Sequence, residues 1–456
     1  MSATLWLIAL VLVATLAVLL RWQRPAWYWL SFGATFAMLR VLVRYATVMD
    51  ACQLTVPPPR WRLWLARVFK WQIPRQRTPR ILRLRPTRTG LRLRLKMQPG
   101  QDAFEFSAAA DRLRHSFTVQ QVVSKEIGPG VVELVMTGYD VLKRVQMPAT
   151  VECSQLRVPV ALCEDGTVHY RDYKETPHSL HLGATKSGKS VSQRQLIKEL
   201  AAQKVALVGI DCKQGVELAP MARRFSALAD NPDDAVALLE ALVDRMNAIY
   251  QVIRAEQRVS AEIPDAEITA DIWGLPEHLR PDPVVLTIDE VAELTLFASK
   301  AEEKRRDRIV TALVRLVQLG RAAGIYVDIY GQRFGSELGN GITMLRAQLT
   351  GRTAHRVNDE SSAKMAFGDI SAHAVFATTQ IPNDRPGMAV VGYSTGGWVR
   401  VRAPHASMRS AVNACNKYAH LTPDIPELAA FRPVLPPVKP VEAPVPAAPA
   451  EAPATA

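Results

Sequence analysis

Residues 183–190 read Gly-Ala-Thr-Lys-Ser-Gly-Lys-Ser, a G-x-x-x-x-G-K-S pattern whose spacing suits the grip on a polyphosphate. Gly183 and Gly188 let the backbone turn tightly. The N–H groups along Ala184, Thr185, Lys186 and Ser187 can then point at phosphate oxygens, Lys189 adds a point charge, and the Ser190 hydroxyl can ligate Mg²⁺. Further along, the apolar run Pro283–Asp289 ends in an acid, Asp289, and Glu290 follows it. Asp289 is placed to hold the same Mg²⁺, and Glu290 to polarise the water that attacks a γ-phosphate. ATP and Mg²⁺ are the cofactors this chemistry implies. Asp289-Glu290 as a simple acidic helix start is the bland alternative.

These side chains need a parallel sheet behind them. Ser179–Leu182 is short enough for a strand, and Val191–Leu200 continues as a helix whose positive end faces the anion. A β-branched run such as Pro283–Asp289 reads as a buried parallel strand, and ligands bind at the C-terminal edge of such sheets. Val205–Asp211 reads as a neighbour of the phosphate-loop strand. Pro232–Glu256 and Arg308–Ala323 show helical periodicity. Strand Ile325–Gly331 then delivers Gln332 to the sheet edge, where it can bond both the attacking water and the γ-phosphate. The fold class is α/β.

The 456-residue chain carries a net charge of +13, and its location matters more than its size. Between Ala51 and Gln101 stand thirteen Lys or Arg and no acid, so the rest of the chain is balanced. The five cysteines are scattered without paired or metal-like spacing, which fits a reducing compartment and excludes a zinc framework. Thr4–Leu20 holds no charge, and Ala26–Val43 is apolar apart from Arg40. Both read as transmembrane segments, with Trp6, Trp22, Trp27 and Trp29 suited to the interface and the rest of the chain held on the cytoplasmic side of a cell membrane by the basic stretch. Two spans leave Arg21 and Arg24 outside, against the positive-inside rule. One span followed by an interfacial helix is the alternative.

Arg60–Trp71 resembles an amphipathic helix on an anionic membrane surface. Ile81–Arg85 and Leu91–Lys96 predict a hairpin with Arg83, Arg85, Arg92, Arg94 and Lys96 on one face, able to track phosphates or simply to keep an edge soluble. A helix over Ala108–His115 and strands Thr118–Lys125 and Gly130–Thr137 complete a small α+β domain. The expected organisation is a membrane anchor (1–45), a basic juxtamembrane linker (46–79), the α+β domain (80–150), a nucleotide-binding domain (151–422) and a disordered Pro/Ala-rich tail (423–456).

The chain resembles the FtsK/SpoIIIE-type double-stranded DNA translocases over about residues 80–420. The resemblance rests on Pro99-Gly100, Asp165-Gly166, His181–Ser190, Val208–Leu218 with Asp211, Lys213 and Glu217, Thr287–Leu294, and Gly320–Arg333. It implies a RecA-like P-loop motor that forms a homo-hexameric ring around duplex DNA. The short membrane region looks most like that of the actinomycete transfer proteins, which move double-stranded DNA between cells during conjugation. Chromosome segregation and a secretion-type ATPase with a protein substrate are the alternatives. An arginine from the neighbouring subunit would complete such a site. Arg321, Arg333, Arg346, Arg352 and Arg356 are candidates, and Arg352 is favoured for its likeness to a family position.

Two departures stand out. The family loop commonly carries glycine where this chain has Lys186. The last plausible helix ends near Leu421, so a terminal winged helix that reads DNA repeats is not expected, and a separate DNA-loading or cell-wall partner would supply specificity. The segment Arg333–Arg346 and the hairpin carrying Arg400 and Arg402 are the expected pore-facing elements.

Overall fold

Helix α1 (Ala3–Gln23) opens the computed structural model, which describes residues 3–70, 76–257, 268–335, 338–339, 341–393 and 396–435. The described side chains of α1 are almost all exposed. A second helical run follows, built from α2 (Pro25–Tyr28), a single π-helical turn (Trp29–Gly33) and α3 (Ala34–Ala51). Helix α4 (Arg60–Val68) comes next, and Trp71 lies outside the described residues.

Strands β1 (Arg80–Pro86) and β2 (Gly90–Lys96) form the expected hairpin, with Arg83 opposite Arg94 and Arg85 opposite Arg92. Strict alternation is the cause: Leu91, Leu93 and Leu95 are fully buried while the basic residues between them face out. Burial of each leucine contributes about 1.5–3 kcal/mol. Helices α5 (Ala103–Ala108) and α6 (Ala110–Phe117) precede β3 (Gln121–Gly128) and β4 (Val131–Thr137), giving an antiparallel sheet ordered β1-β2-β4-β3.

The second apolar run belongs to this sheet's core. Trp29, Val41, Tyr45, Val48 and Met49 are buried with Leu93, Phe106, Phe117 and Leu134. The Trp29 indole N–H donates to the Thr87 carbonyl (2.9 Å), and the Tyr45 hydroxyl donates to the Pro79 carbonyl (2.7 Å). The expected linker is also structured in part. Residues 46–51 continue α3, Leu54 is buried, and Val56 bridges Arg77.

The chain forms two compact units, Met1–Leu200 with Val327–Ser407, and Ala201–Tyr326 with the segment from Met408. The small α+β domain therefore shares a unit with the phosphate-loop strand, and the division does not follow the boundary expected at residue 150. Strands β5 (Arg157–Cys163), β6 (Val168–Asp172) and β7 (His178–Leu182) and helix α7 (Lys189–Leu200) complete the first pass through the first unit.

In the second unit, β8 (Ala206–Ile210), β9 (Phe225–Ala229) and β10 (Val284–Ile288) run parallel in the order β10-β8-β9. Helix α8 (Pro232–Glu256) starts on Asn231, whose side chain accepts from the Asp234 N–H. After α9 (Val291–Thr295), helix α10 spans Lys300–Leu319, eight residues earlier than its apolar pattern suggests. Its start is set by a capping box between Ser299 and Glu302, a polar signal that apolar periodicity does not register.

Strand β11 (Ile325–Gly331) leads back into the first unit, followed by α11 (Ile342–Gln348), β12 (Gly351–His355), α12 (Glu360–Phe367), α13 (Ala372–Thr379), β13 (Met388–Gly392) and β14 (Trp398–Arg402). The strand order there is β6-β5-β14-β13-β12-β7-β11. Strand β7 thus lies between β12 and β11, and β8 between β10 and β9, which corrects the expected pairing of β8 with the phosphate-loop strand. Parallel strands joined by crossovers need not sit beside their sequence neighbours.

Helix α14 (Met408–Lys417) and two 3₁₀ turns, Ala419–Leu421 and Pro426–Phe431, close the second unit. The start of the expected disordered tail is therefore ordered. Ile425 and Leu428 are buried, Glu427 pairs with Arg245 (3.0 Å), and the Ser226 hydroxyl donates to the Pro423 carbonyl (2.8 Å). Residues 436–456 of that expected tail lie outside the described residues.

Candidate nucleotide site

Strand β7 is buried at every position and ends at Leu182, so the glycine after it emerges at the C-terminal edge of the sheet. The Gly183 N–H donates to the Gly331 carbonyl (3.1 Å), and the Ala184 N–H donates to the Arg356 carbonyl (2.9 Å). Arg356 returns the contact by donating from Nη2 to the Thr185 carbonyl (2.9 Å). A turn then closes from the Ser187 N–H to the Ala184 carbonyl (3.1 Å), and Lys189 and Ser190 open α7.

Two backbone features give the loop its shape. Gly188 has φ +95°, and a Cβ there would come within 2.0 Å of the Gly387 nitrogen. Lys186 has φ +61°, a left-handed conformation that costs a side-chain-bearing residue roughly 1–2 kcal/mol. Glycine would take this conformation without that cost, whereas Lys186 keeps the shape under strain while its side chain remains exposed. Ser187 Oγ is buried with no hydrogen-bond partner among the described residues. A concave backbone beside an orphaned hydroxyl fits a ligand rich in oxygen acceptors.

Gln332 follows Gly331 directly, so β11 starts it beside the loop in the same unit. Beneath both lies a buried polar network that the sequence reading missed. Asp328, fully buried, accepts from Arg171 Nη2 (2.9 Å) and the Tyr173 hydroxyl (2.5 Å), with His181 Nε2 at 3.4 Å. Burial opposes the charge on Asp328, but Arg171, then His181 and Tyr173, outweigh it and lower the carboxyl to about 2. An acid inside the apolar run Ile-Tyr-Val-Asp-Ile-Tyr-Gly was the available signal. His355 lies against Gly183 and His178 begins β7, and burial pushes both imidazoles down to about 3.

Asp289 and Glu290 belong to the second unit, at the end of β10. The Asp289 N–H donates to the Ile210 carbonyl (3.0 Å), which continues the β8–β10 ladder. The Asp289 carboxylate is 1 % exposed; Oδ2 accepts from Lys213 Nζ (3.0 Å) and Oδ1 is buried with no partner among the described residues. That orphaned oxygen in a nearly dry setting fits a hard cation. Lys213 Nζ also stands 3.8 Å from Glu290. Burial opposes the Lys213 charge, but Asp289, and after it Glu290 and Asp211, hold the ammonium above its ordinary value. Asp211 accepts from the N–H groups of Lys213 (3.2 Å), Glu217 (2.8 Å) and Leu218 (3.1 Å), and so shapes the turn that delivers Lys213. No cluster of three metal-ligating side chains occurs among the described residues, so a cation here would lean on its nucleotide.

The arginines divide by exposure. Arg352 is buried at 3 % exposure, donating to the Arg346 carbonyl and standing 3.7 Å from Asp369. Arg333 is exposed and paired with Asp359 (2.8 Å). Arg402, in the hairpin expected to face the pore, donates to the Pro386 (3.1 Å) and Leu142 (2.8 Å) carbonyls. In the segment Arg333–Arg346, residues 336, 337 and 340 lie outside the described residues, as do residues 394–395 of the β13–β14 hairpin.

The strand, glycine-rich loop and helix of the first unit define a P-loop ATPase fold. Comparisons with known proteins narrow this. Residues 141–336 match the FtsK/SpoIIIE family model, and residues 16–138 match the actinomycete conjugal transfer protein N-terminal domain, a span that takes in α3 together with the small sheet. The chain is 69% identical over 418 residues to Transfer protein TraSA of Streptomyces ambofaciens, covering 92% of this chain and 100% of that protein. It is 50% identical over 271 residues to a sporulation regulatory protein of Streptomyces azureus, covering 59% of this chain and 86% of that one. The chain therefore belongs to the FtsK/SpoIIIE family. Among solved structures, the pCW3 conjugation coupling protein TcpA, in monomer form with ATPγS, superposes with a TM-score of 0.54 at 17% identity, covering 83% of this chain and 98% of that one, which shows a shared fold.

Proposed function

We propose that this chain is a membrane-anchored translocase that uses ATP hydrolysis to move double-stranded DNA during conjugal transfer of a plasmid or integrative element. The observation that carries the reading is the near full-length identity to a transfer protein in a chain whose phosphate loop is intact. In this reading Gly183–Ser190 hold the nucleotide phosphates. Ser190 and Asp289 are the residues that would hold Mg²⁺, which supplies charge neutralisation to the transferring phosphoryl group. Glu290 orients and deprotonates water, and Gln332 senses the γ-phosphate. The protein works as a homo-hexameric ring on the cytoplasmic side of the cell membrane. Arg352 would have to leave Asp369 to act across a subunit boundary, so we give it a positioning role between α11 and β12.

The test is substrate-stimulated turnover. Long duplex DNA is expected to raise ATP hydrolysis by the full-length protein more than single strands or acidic peptides do. Equal stimulation by all three, or stimulation by peptide alone, would overturn the duplex reading and favour a secretion-type ATPase.

A further inference from the structure

The two apolar N-terminal runs are long enough to cross a membrane, yet the structure treats them differently. Helix α1 offers lipid an apolar surface on all sides. The run from Pro25 to Ala51 is bound along its length to one polar domain: Trp29 to the Thr87 carbonyl, Arg40 Nη1 to the Phe117 carbonyl (3.5 Å), and Tyr45 to the Pro79 carbonyl. Trp29 and Tyr45 are roughly 24 Å apart along a helix, most of a ~30 Å hydrocarbon core. A run fastened at both ends to the same domain cannot cross without drawing Arg85, Arg92 and Arg112 into lipid, at a cost of several kcal/mol per charge.

The outward face of that run has its own character. Trp27, Leu30, Phe36, Leu39, Leu42 and Val43 are all exposed. Beside it lies a groove of about 1160 Å³ lined by Arg21, Arg24, Arg40, Arg88, Lys143 and Arg144. None of these six forms an ion pair with an acid among the described residues, and the acid in the lining, Asp140, is held by Arg385 (2.6 Å). Trp22 and Trp27 also line it. Apolar side chains, indoles and cations without a carboxylate partner, side by side, are the chemistry of an anionic leaflet surface.

We propose that α1 alone crosses the bilayer, that the run Pro25–Ala51 lies in the membrane–water interface as the lipid-facing surface of the N-terminal domain, and that the basic groove takes anionic phospholipid headgroups. This topology puts Arg21 and Arg24 on the cytoplasmic side, where the positive-inside rule expects them. The inference rests on the membrane anchoring of the proposed function, and the experiment separates the two.

Gln23→Cys is introduced into the full-length chain with the exposed Cys153 replaced by serine, and cells are treated with a membrane-impermeant maleimide. Gln23→Cys is expected to be labelled only after permeabilisation. Labelling in intact cells would place the α1–α2 connection outside and overturn the single crossing. Recovery of the protein in the soluble fraction would instead overturn the anchoring itself. For the surface, a nitroxide at Leu39→Cys is measured in full-length protein reconstituted into phosphatidylcholine vesicles containing phosphatidylglycerol. Interfacial depth is expected, with a shift toward water in the Arg24→Glu/Arg88→Glu/Arg144→Glu variant. A midplane depth, a label shielded by protein, or no response to the triple variant overturns the surface assignment. Inorganic phosphate added to vesicles without phosphatidylglycerol is expected to have no effect; a response would make the groove a general anion site.

Discussion

The phosphate loop and the Asp289–Glu290 pair are held in place by different means. The loop is shaped by backbone: left-handed residues at 186 and 188, a glycine pressed against Gly387, and the Thr185 carbonyl strapped by Arg356. The acid pair is held by charge, with Lys213 on Asp289 and Asp211 folding the turn that brings Lys213 there. Backbone can grip a phosphate without regard to what happens to it, whereas a buried carboxylate responds to each change in local charge. In the proposed function that contrast matches binding at the first region and turnover at the second.

Glu290→Gln gives the sharpest test of that division. It is expected to lower ATP turnover by roughly 10²–10⁴-fold while nucleotide affinity stays near wild type, read by steady-state hydrolysis beside a fluorescent-nucleotide titration. Lys189→Ala should act in the opposite sense, weakening affinity by about 10–100-fold through the loss of charge-assisted contacts worth about 1.5–3 kcal/mol. Equal loss of affinity in both variants would erase the distinction.

Acid should separate the regions as well. His178 and His355 are buried in the first unit with folded values near 3, so the unfolded chain binds their protons first as pH falls below the ordinary value of 6.5. The stability they permit is full above that value and is lost progressively down to about 3; at pH 5 each is expected to cost about 2 kcal/mol. Hydrogen exchange at pH 5 and pH 7 should show β7 and β12 losing more protection than β8 and β10.

Smaller effects follow for single side chains. Lys186→Gly is expected to stabilise the first unit by about 1 kcal/mol by relieving the left-handed strain, seen as a higher unfolding midpoint. Lys213→Ala should cost less than about 1 kcal/mol, because Lys213 is 41% exposed and water can replace it in part. That loss should shrink with added salt; a salt-independent loss would point to packing.

The sequence disclosed the two nucleotide motifs because each depends on a few residues at fixed spacing. Strand Ile325–Gly331 and helix Pro232–Glu256 stand where their periodicity places them. Order within the sheet was not legible: the pairing of β7 with β12 joins segments some 170 residues apart, with no local pattern to announce it. The fate of Pro25–Ala51 was hidden for another reason. Hydropathy averages over a window, while the decisive fact is that Trp29, Val41, Tyr45 and Val48 share one face that another part of the chain covers. Lys213 became interpretable only once its ammonium was seen on Asp289.

The π-helical turn at Trp29–Gly33 makes the N-terminal domain sensitive to chain length in an unusual way. Its additional residue sets the phase between the indole that reaches Thr87 and the side chains three turns later that enter the core. Excising a single residue there would rotate everything upstream by about 100° about the helix axis. Trp29 would swing off its carbonyl and α1 would leave the domain in a new direction, so in this stretch of chain a deletion is a change of aim.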